Sequence, residues 1–222
     1  MSESREFGTI NIDDRGGTHD FQYTDGRHVQ ASNGLTPSQT IGPFFAYGLT
    51  PGAYGYPLEE IHSNMLAGPN VAGTHITIEG QIFDGEDVPV HDAMVEIIQA
   101  DSNGNYVKKL RNDGFTGYGR MGTGAQGKAE DGGDTRFVFS TIKPGVTQPG
   151  SAPYITFIVT MRGLLNHCIT RMYFPEDEHD SDPILQQMPE ARRQTLIGEP
   201  SGKNCYRFDV YMQGENETVF FD

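Results

Sequence analysis

Between Thr74 and Phe221 the chain spells seven short runs of β-branched and aromatic residues, each closed by turn-forming Gly, Pro, Asn or Asp. The runs are THITIEGQIFD, AMVEIIQA, TRFVFSTI, APYITFIVT, HCITRMYF, YRFDVYMQ and TVFF. Parallel strands need a long crossover, usually a helix, and no regular alternation of strand and helix patterns is present. The pattern predicts a mainly β fold, a β-sandwich with long loops and one or two short helices. In the first run Ile76, Ile78 and Ile82 alternate with polar residues, the mark of a half-buried strand. In the fourth, Tyr154, Thr156, Ile158, Thr160 and Arg162 fall on one face. A tyrosine, two hydroxyls and an arginine on one face suit a metal site, a substrate wall, or the polar side of an ordinary strand.

Residues 1–35 are polar and without period, which predicts an N-terminal arm, disordered or draped on a neighbour, ahead of one folded domain over 36–222. Prolines and glycines make 36–56 an ordered irregular segment. In LEEIHSNML, Leu58, Ile61, His62 and Met65 stand at helical spacing, one or two turns at most. DPILQQMPEARRQTL reads as a short helix with Pro183 in its first turn. The glycine-rich region 106–134 reads as a long loop.

The 16 basic and 30 acidic residues leave a net charge of −14, which argues against nucleic acid and anionic lipid as partners. No stretch approaches the roughly 20 apolar residues of a membrane span, and the first residues lack the apolar core of an export signal. A cytoplasmic protein is expected, with Cys168 and Cys205 as buried free thiols.

Local motifs carry little chemistry. Gly122-Thr-Gly124-Ala-Gln-Gly127 matches G-x-G-x-x-G, but no apolar strand precedes it and no helix follows, so it reads as a loop. No two of the seven histidines have metal-ligand spacing. No G-x-S-x-G is present, no helix start activates Cys168, and PEDEHDSD lacks the glycine turn of a calcium loop.

Longer stretches are more specific. TPSQTIGPFF at 36–45, GQIFDGEDVPVHDAMVEIIQADSNGNY at 80–106, STIKPG at 140–145 and YRFDVYMQGENETVFFD at the end occur in the order seen in the intradiol ring-cleaving dioxygenases, which the chain strongly resembles over 36–222. RGLLNHCITRMYF and RRQTLI are similar to the α-type chains of that family. The resemblance implies a mixed β-sandwich and a homologous iron-bearing β subunit paired with this chain in an (αβ)n assembly. It further implies that O2 and protocatechuate are consumed to give 3-carboxy-cis,cis-muconate, a step of the β-ketoadipate route of aromatic catabolism.

Catalytic members hold Fe(III) with two tyrosines and two histidines. Matched to this sequence, the H-x-H of iron-binding members falls at Tyr154 and Thr156, and one ligand tyrosine falls near Thr147. The segment 107–117, where the other would lie, contains no tyrosine. The resemblance thus implies vestigial ligand positions, no metal and no catalytic residue in this chain, and Fe(III) held by the partner. It implies substrate contacts from Thr40, Gly42, Pro43 and Arg162, directed into the partner's pocket. Two rival readings are a self-sufficient dioxygenase with displaced ligands and a non-catalytic sandwich that serves as a binding or scaffold module.

Overall fold

The computed structural model describes residues 21–22, 28–29, 45–109, 111–124 and 135–221. The chain divides into two units, Met1–Gln39 and Thr40–Asp222. In the first, β1 (Phe21–Gln22) and β2 (His28–Val29) form a short antiparallel pair. The remainder of the expected arm, and Thr40, Gly42 and Pro43, lie outside the described residues.

The second unit is a mixed β-sandwich, as expected. One sheet has the order β10 (Glu199–Gly202), β11 (Cys205–Arg207), β3 (His75–Gly80), β7 (Phe137–Ile142). The other has the order β6 (Tyr118–Gly122), β5 (Met94–Ile98), β8 (Tyr154–Thr160), β9 (Cys168–Tyr173). A two-stranded piece joins β4 (Ile82–Phe83) to β12 (Val210–Tyr211). Pairing is antiparallel except for β11 with β3 and β12 with β4.

Alternation sets the layers. Ile155, Phe157 and Val159 of β8 are fully buried against Ile78, Phe137 and Phe139 of the other sheet, while Thr156 and Ile158 between them are partly exposed. Burying side chains of this size contributes about 1.5–3 kcal/mol each. A residue inserted into such a ladder would turn the whole set outward, so the register is strongly specified. Between β3 and β4 the chain bends at Gly80, where a Cβ would lie 1.9 Å from the Phe208 carbonyl oxygen. Only glycine allows that approach.

Four expectations need correction. The region 106–134 is not all loop: Tyr118–Gly122 is a strand paired with β5 in register Glu96↔Arg120. Its glycines hide it from propensity, and the first glycine of the G-x-G-x-x-G spelling is its last residue, so a strand does precede that motif. The segment 58–65 is irregular, tied to the sheet by a bridge from Met65 to Ser140. Its apolar residues face outward, Ile61 being 88% exposed, and a two-turn helix without a buried face is too short to persist. The helix expected over 182–196 is split into the 3-10 turn Leu185–Gln187, α2 (Glu190–Arg193) and the 3-10 turn Gln194–Leu196, broken at Pro189. Ahead of β3, α1 (Phe45–Leu49) and the 3-10 turn Pro51–Tyr54 occupy part of the segment read as irregular.

Cys168 and Cys205 are free, and burial pushes the Cys168 thiol up, away from a nucleophile's range. No helix among the described residues is long and apolar enough to cross a membrane.

Candidate functional site

The outward face of the β6-β5-β8-β9 sheet carries the residues singled out above. Tyr154 and Thr156 lie at the start of β8, and Arg162 follows its end in a turn closed by Leu164 N–H to the Met161 carbonyl, with Gly163 at φ 87°. Arg162 lies eight positions after Tyr154. At about 3.3 Å per residue they stand roughly 26 Å apart, at opposite ends of one strand face.

At the first end Tyr154 is buried, and the Tyr106 hydroxyl donates to its phenol oxygen at 3.1 Å. Burial, and then this bond, push the Tyr106 phenol well above its usual value, so it remains neutral. Arg171 of β9, paired in register with Thr156, lays its guanidinium over the Tyr154 ring at 4.1 Å and over Phe221 at 5.3 Å. The Thr147 hydroxyl oxygen is buried without a hydrogen-bond partner. The segments that carry Tyr106 and Thr147 come together at Gly104, which at φ 80° packs on Val146: a Cβ there would meet the Val146 carbonyl oxygen at 1.9 Å.

These donors do not fit a ferric ion. A tyrosinate ligand must lose its proton, whereas the neutral Tyr106 shares a hydrogen bond with Tyr154. Threonine hydroxyls are poor substitutes for imidazole, and the Arg171 guanidinium over the Tyr154 ring brings a positive charge that would repel a trivalent cation bound beside it. Among the described residues no three His, Cys, Asp or Glu converge on a point.

The other end is built differently. The β5–β8 register pairs Met94 with Thr160, and two residues beyond this pair Arg162 Nε donates to the Asp92 carboxylate. Asp92 is 10% exposed and Arg162 58%, so the carboxylate is set in the wall and the guanidinium stands proud of it. Tyr54 lies close: burial, then the Asp92 charge, raise its phenol, and Arg162 partly offsets them. Its ring meets Tyr47 edge to face at 4.7 Å. Tyr47 of α1 also lies within electrostatic reach of Arg162.

Between the two ends, Glu96 accepts hydrogen bonds from the Tyr118 hydroxyl and from Arg120 Nε, the latter at 2.8 Å. Burial, and then Glu96, push Tyr118 up to about 12. Inference from sequence missed Tyr106, Arg171 and Asp92. Tyr106 lies one residue before the segment searched for a ligand tyrosine, and the other two acquire meaning only through cross-strand register.

A family model described as "Dioxygenase" matches residues 41–214. The protocatechuate 3,4-dioxygenase alpha chain of Burkholderia cepacia is 43% identical over 196 residues, covering 84% of this chain and 96% of that one. The beta chain of the same enzyme and organism is 31% identical over 179 residues, covering 72% of this chain and 73% of that one. Among solved structures, the dioxygenase domain of a dioxygenase carbohydrate-binding protein fusion from Streptomyces sp. SirexAA-E superposes with a TM-score of 0.53 at 22% identity, covering 83% of this chain and 99% of that one. By sequence over most of its length and by its sandwich, the chain belongs to the intradiol ring-cleaving dioxygenases, a family of oxidoreductases that use non-haem iron.

Proposed function

We propose that this chain is the α subunit of a protocatechuate 3,4-dioxygenase, an iron-free chain that completes the substrate pocket of a homologous β subunit. The observation that carries the reading is the placement of Arg162. It projects from the end of β8 remote from the chain's own vestigial ligand positions, so its exposed guanidinium serves a site the chain does not itself contain. Greater identity to an alpha chain than to a beta chain agrees with this.

In this reading the Fe(III) belongs to the β subunit, where O2 and protocatechuate meet. Arg162 supplies positive charge at the rim, where it binds the substrate carboxylate and steadies the anion formed as the ring opens to 3-carboxy-cis,cis-muconate. Thr40, Gly42 and Pro43 form a wall beside it, with Gly42 allowing close backbone approach. The exposed Tyr47, Leu49, Tyr56, Leu58, Ile61 and Met65 supply apolar surface for an αβ contact. The assembly works in the cytoplasm.

The test is the iron content and visible tyrosinate-to-iron absorption of this chain, purified alone and after co-expression with its β chain. Iron and colour confined to the complex are expected. Stoichiometric iron in the lone chain would overturn the reading and favour a self-sufficient dioxygenase, while a complex without turnover would favour a scaffold module.

A further inference from the structure

Asp92 and Arg162 meet because of register. β5 and β8 run antiparallel with Met94 opposite Thr160, and continuing the ladder by two residues on each strand sets Asp92 opposite Arg162. The contact uses Nε of the guanidinium, and the Arg162 side chain is still 58% exposed. The segment that carries Asp92 is clamped. The Thr123 hydroxyl, fully buried, accepts from the Ala93 N–H at 3.0 Å and donates to the Val90 carbonyl at 2.8 Å, while the Thr123 N–H donates to the Ala93 carbonyl at 2.8 Å.

We propose that Asp92 is a positioning residue for substrate recognition: it fixes the Arg162 guanidinium so that its terminal N–H pair faces a carboxylate held in the partner subunit's pocket. The inference rests on the reading of Arg162 given above. A free arginine side chain has many rotamers, and a two-pronged contact with a carboxylate forms in only a few. A carboxylate that grips Nε selects those few before substrate arrives. Its negative charge by itself would repel the substrate's carboxylate, so the benefit of Asp92 comes through Arg162 and is lost when Arg162 is lost. Tyr54 lies in the field of both groups.

The experiment is a double-mutant cycle on the co-expressed αβ complex, with protocatechuate and, as the substrate lacking a carboxylate, catechol. Asp92→Ala is expected to raise the KM for protocatechuate roughly tenfold while changing that for catechol less than about twofold. In an Arg162→Ala background the same substitution should raise the KM for protocatechuate no further. Asp92→Asn, which keeps the shape and one acceptor oxygen, should give a smaller rise in the same direction, and it reports if the alanine variant does not assemble.

An Asp92→Ala effect that persists in full without Arg162, or that strikes both substrates equally, overturns positioning and assigns Asp92 to folding. An unchanged KM in Asp92→Ala or, if only the Asn variant assembles, in Asp92→Asn overturns it too, while Arg162→Ala still raising KM leaves the function reading intact. If Arg162→Ala itself leaves the KM for protocatechuate unaltered, the reading of Arg162 falls and this inference with it.

Discussion

Asp101 shows how one side chain secures an end of the sheet. Its Oδ1 accepts the backbone N–H groups of Asn103 at 2.9 Å and Asn105 at 3.0 Å, and its Oδ2 accepts Arg111 at 2.6 Å. Its carbonyl accepts the N–H groups of Gly104 and Gly145, tying the DSNGN turn to the KPG segment. Burial alone would raise the Asp101 pKa, but the Asn105 N–H, Arg111 and the Asn103 N–H outweigh it and hold the carboxyl below the ordinary value. A lowered folded-state pKa contributes stability that is complete above the unfolded value near 3.9 and is lost as pH falls through the folded one. Asp101→Asn should therefore lose about 1–3 kcal/mol at pH 7, and the gap from wild type should narrow toward pH 3. Urea midpoints at the two pH values check this; a gap equal at both would count against it. The role of Asp101 was not legible in the sequence, where DSNGNY marks only a turn. Tyr154 and Arg162 did stand out there, since period-2 alternation places side chains on a face without reference to any other strand. Asp92 and Arg171 did not, because their partners are set by which strands pair and in what register.

Elements were legible where one face is buried. β3, β5, β7, β8 and β9 announce themselves because Ile, Val and Phe at every second position have an opposing sheet to meet. β6 did not, because Tyr-Gly-Arg-Met-Gly is a poor strand by propensity and is held by its ladder to β5. The segment 58–65 misled for the complementary reason: helical spacing without an apolar surface to cover does not make a helix. The parallel pairings of β11 with β3 and β12 with β4 join segments over a hundred residues apart, which no local pattern encodes. Those pairings impose a prediction at Gly80, where the chain passes Phe208 too closely for a side chain. Gly80→Ala should force the β3–β4 junction away from the Phe208 carbonyl, destabilising the fold by about 2–3 kcal/mol and lowering the Tm by about 5–10 °C. A melt within about 1 °C of wild type would show that the two segments are free to part.

On the scale of the molecule, charge and function pull in opposite directions. A net charge of −14 surrounds the protein with a potential that disfavours an anionic substrate, and in the function proposed above Arg162 counters it locally. Raising ionic strength shortens the reach of distant charges more than that of a contact pair, the Debye length falling from about 30 Å at 0.01 M to about 8 Å at 0.15 M. The apparent KM for protocatechuate in the αβ complex should then fall with added salt, on the order of twofold. A KM that rises instead would mean that attraction from the partner dominates the approach. The two ends of β8 have one further consequence, and it concerns inheritance. At the Tyr154 end the neighbours Tyr106, Arg171 and Tyr173 come from the same chain, so a change there can be answered by a second change in the same gene. At the Arg162 end, on the function proposed above, the surface meets a chain encoded elsewhere, and a change there has to be answered in another gene. On that reading one strand is subject to two histories: its first half is free to drift as long as the core holds, and the residues that follow its end are bound to the fortunes of a separate protein.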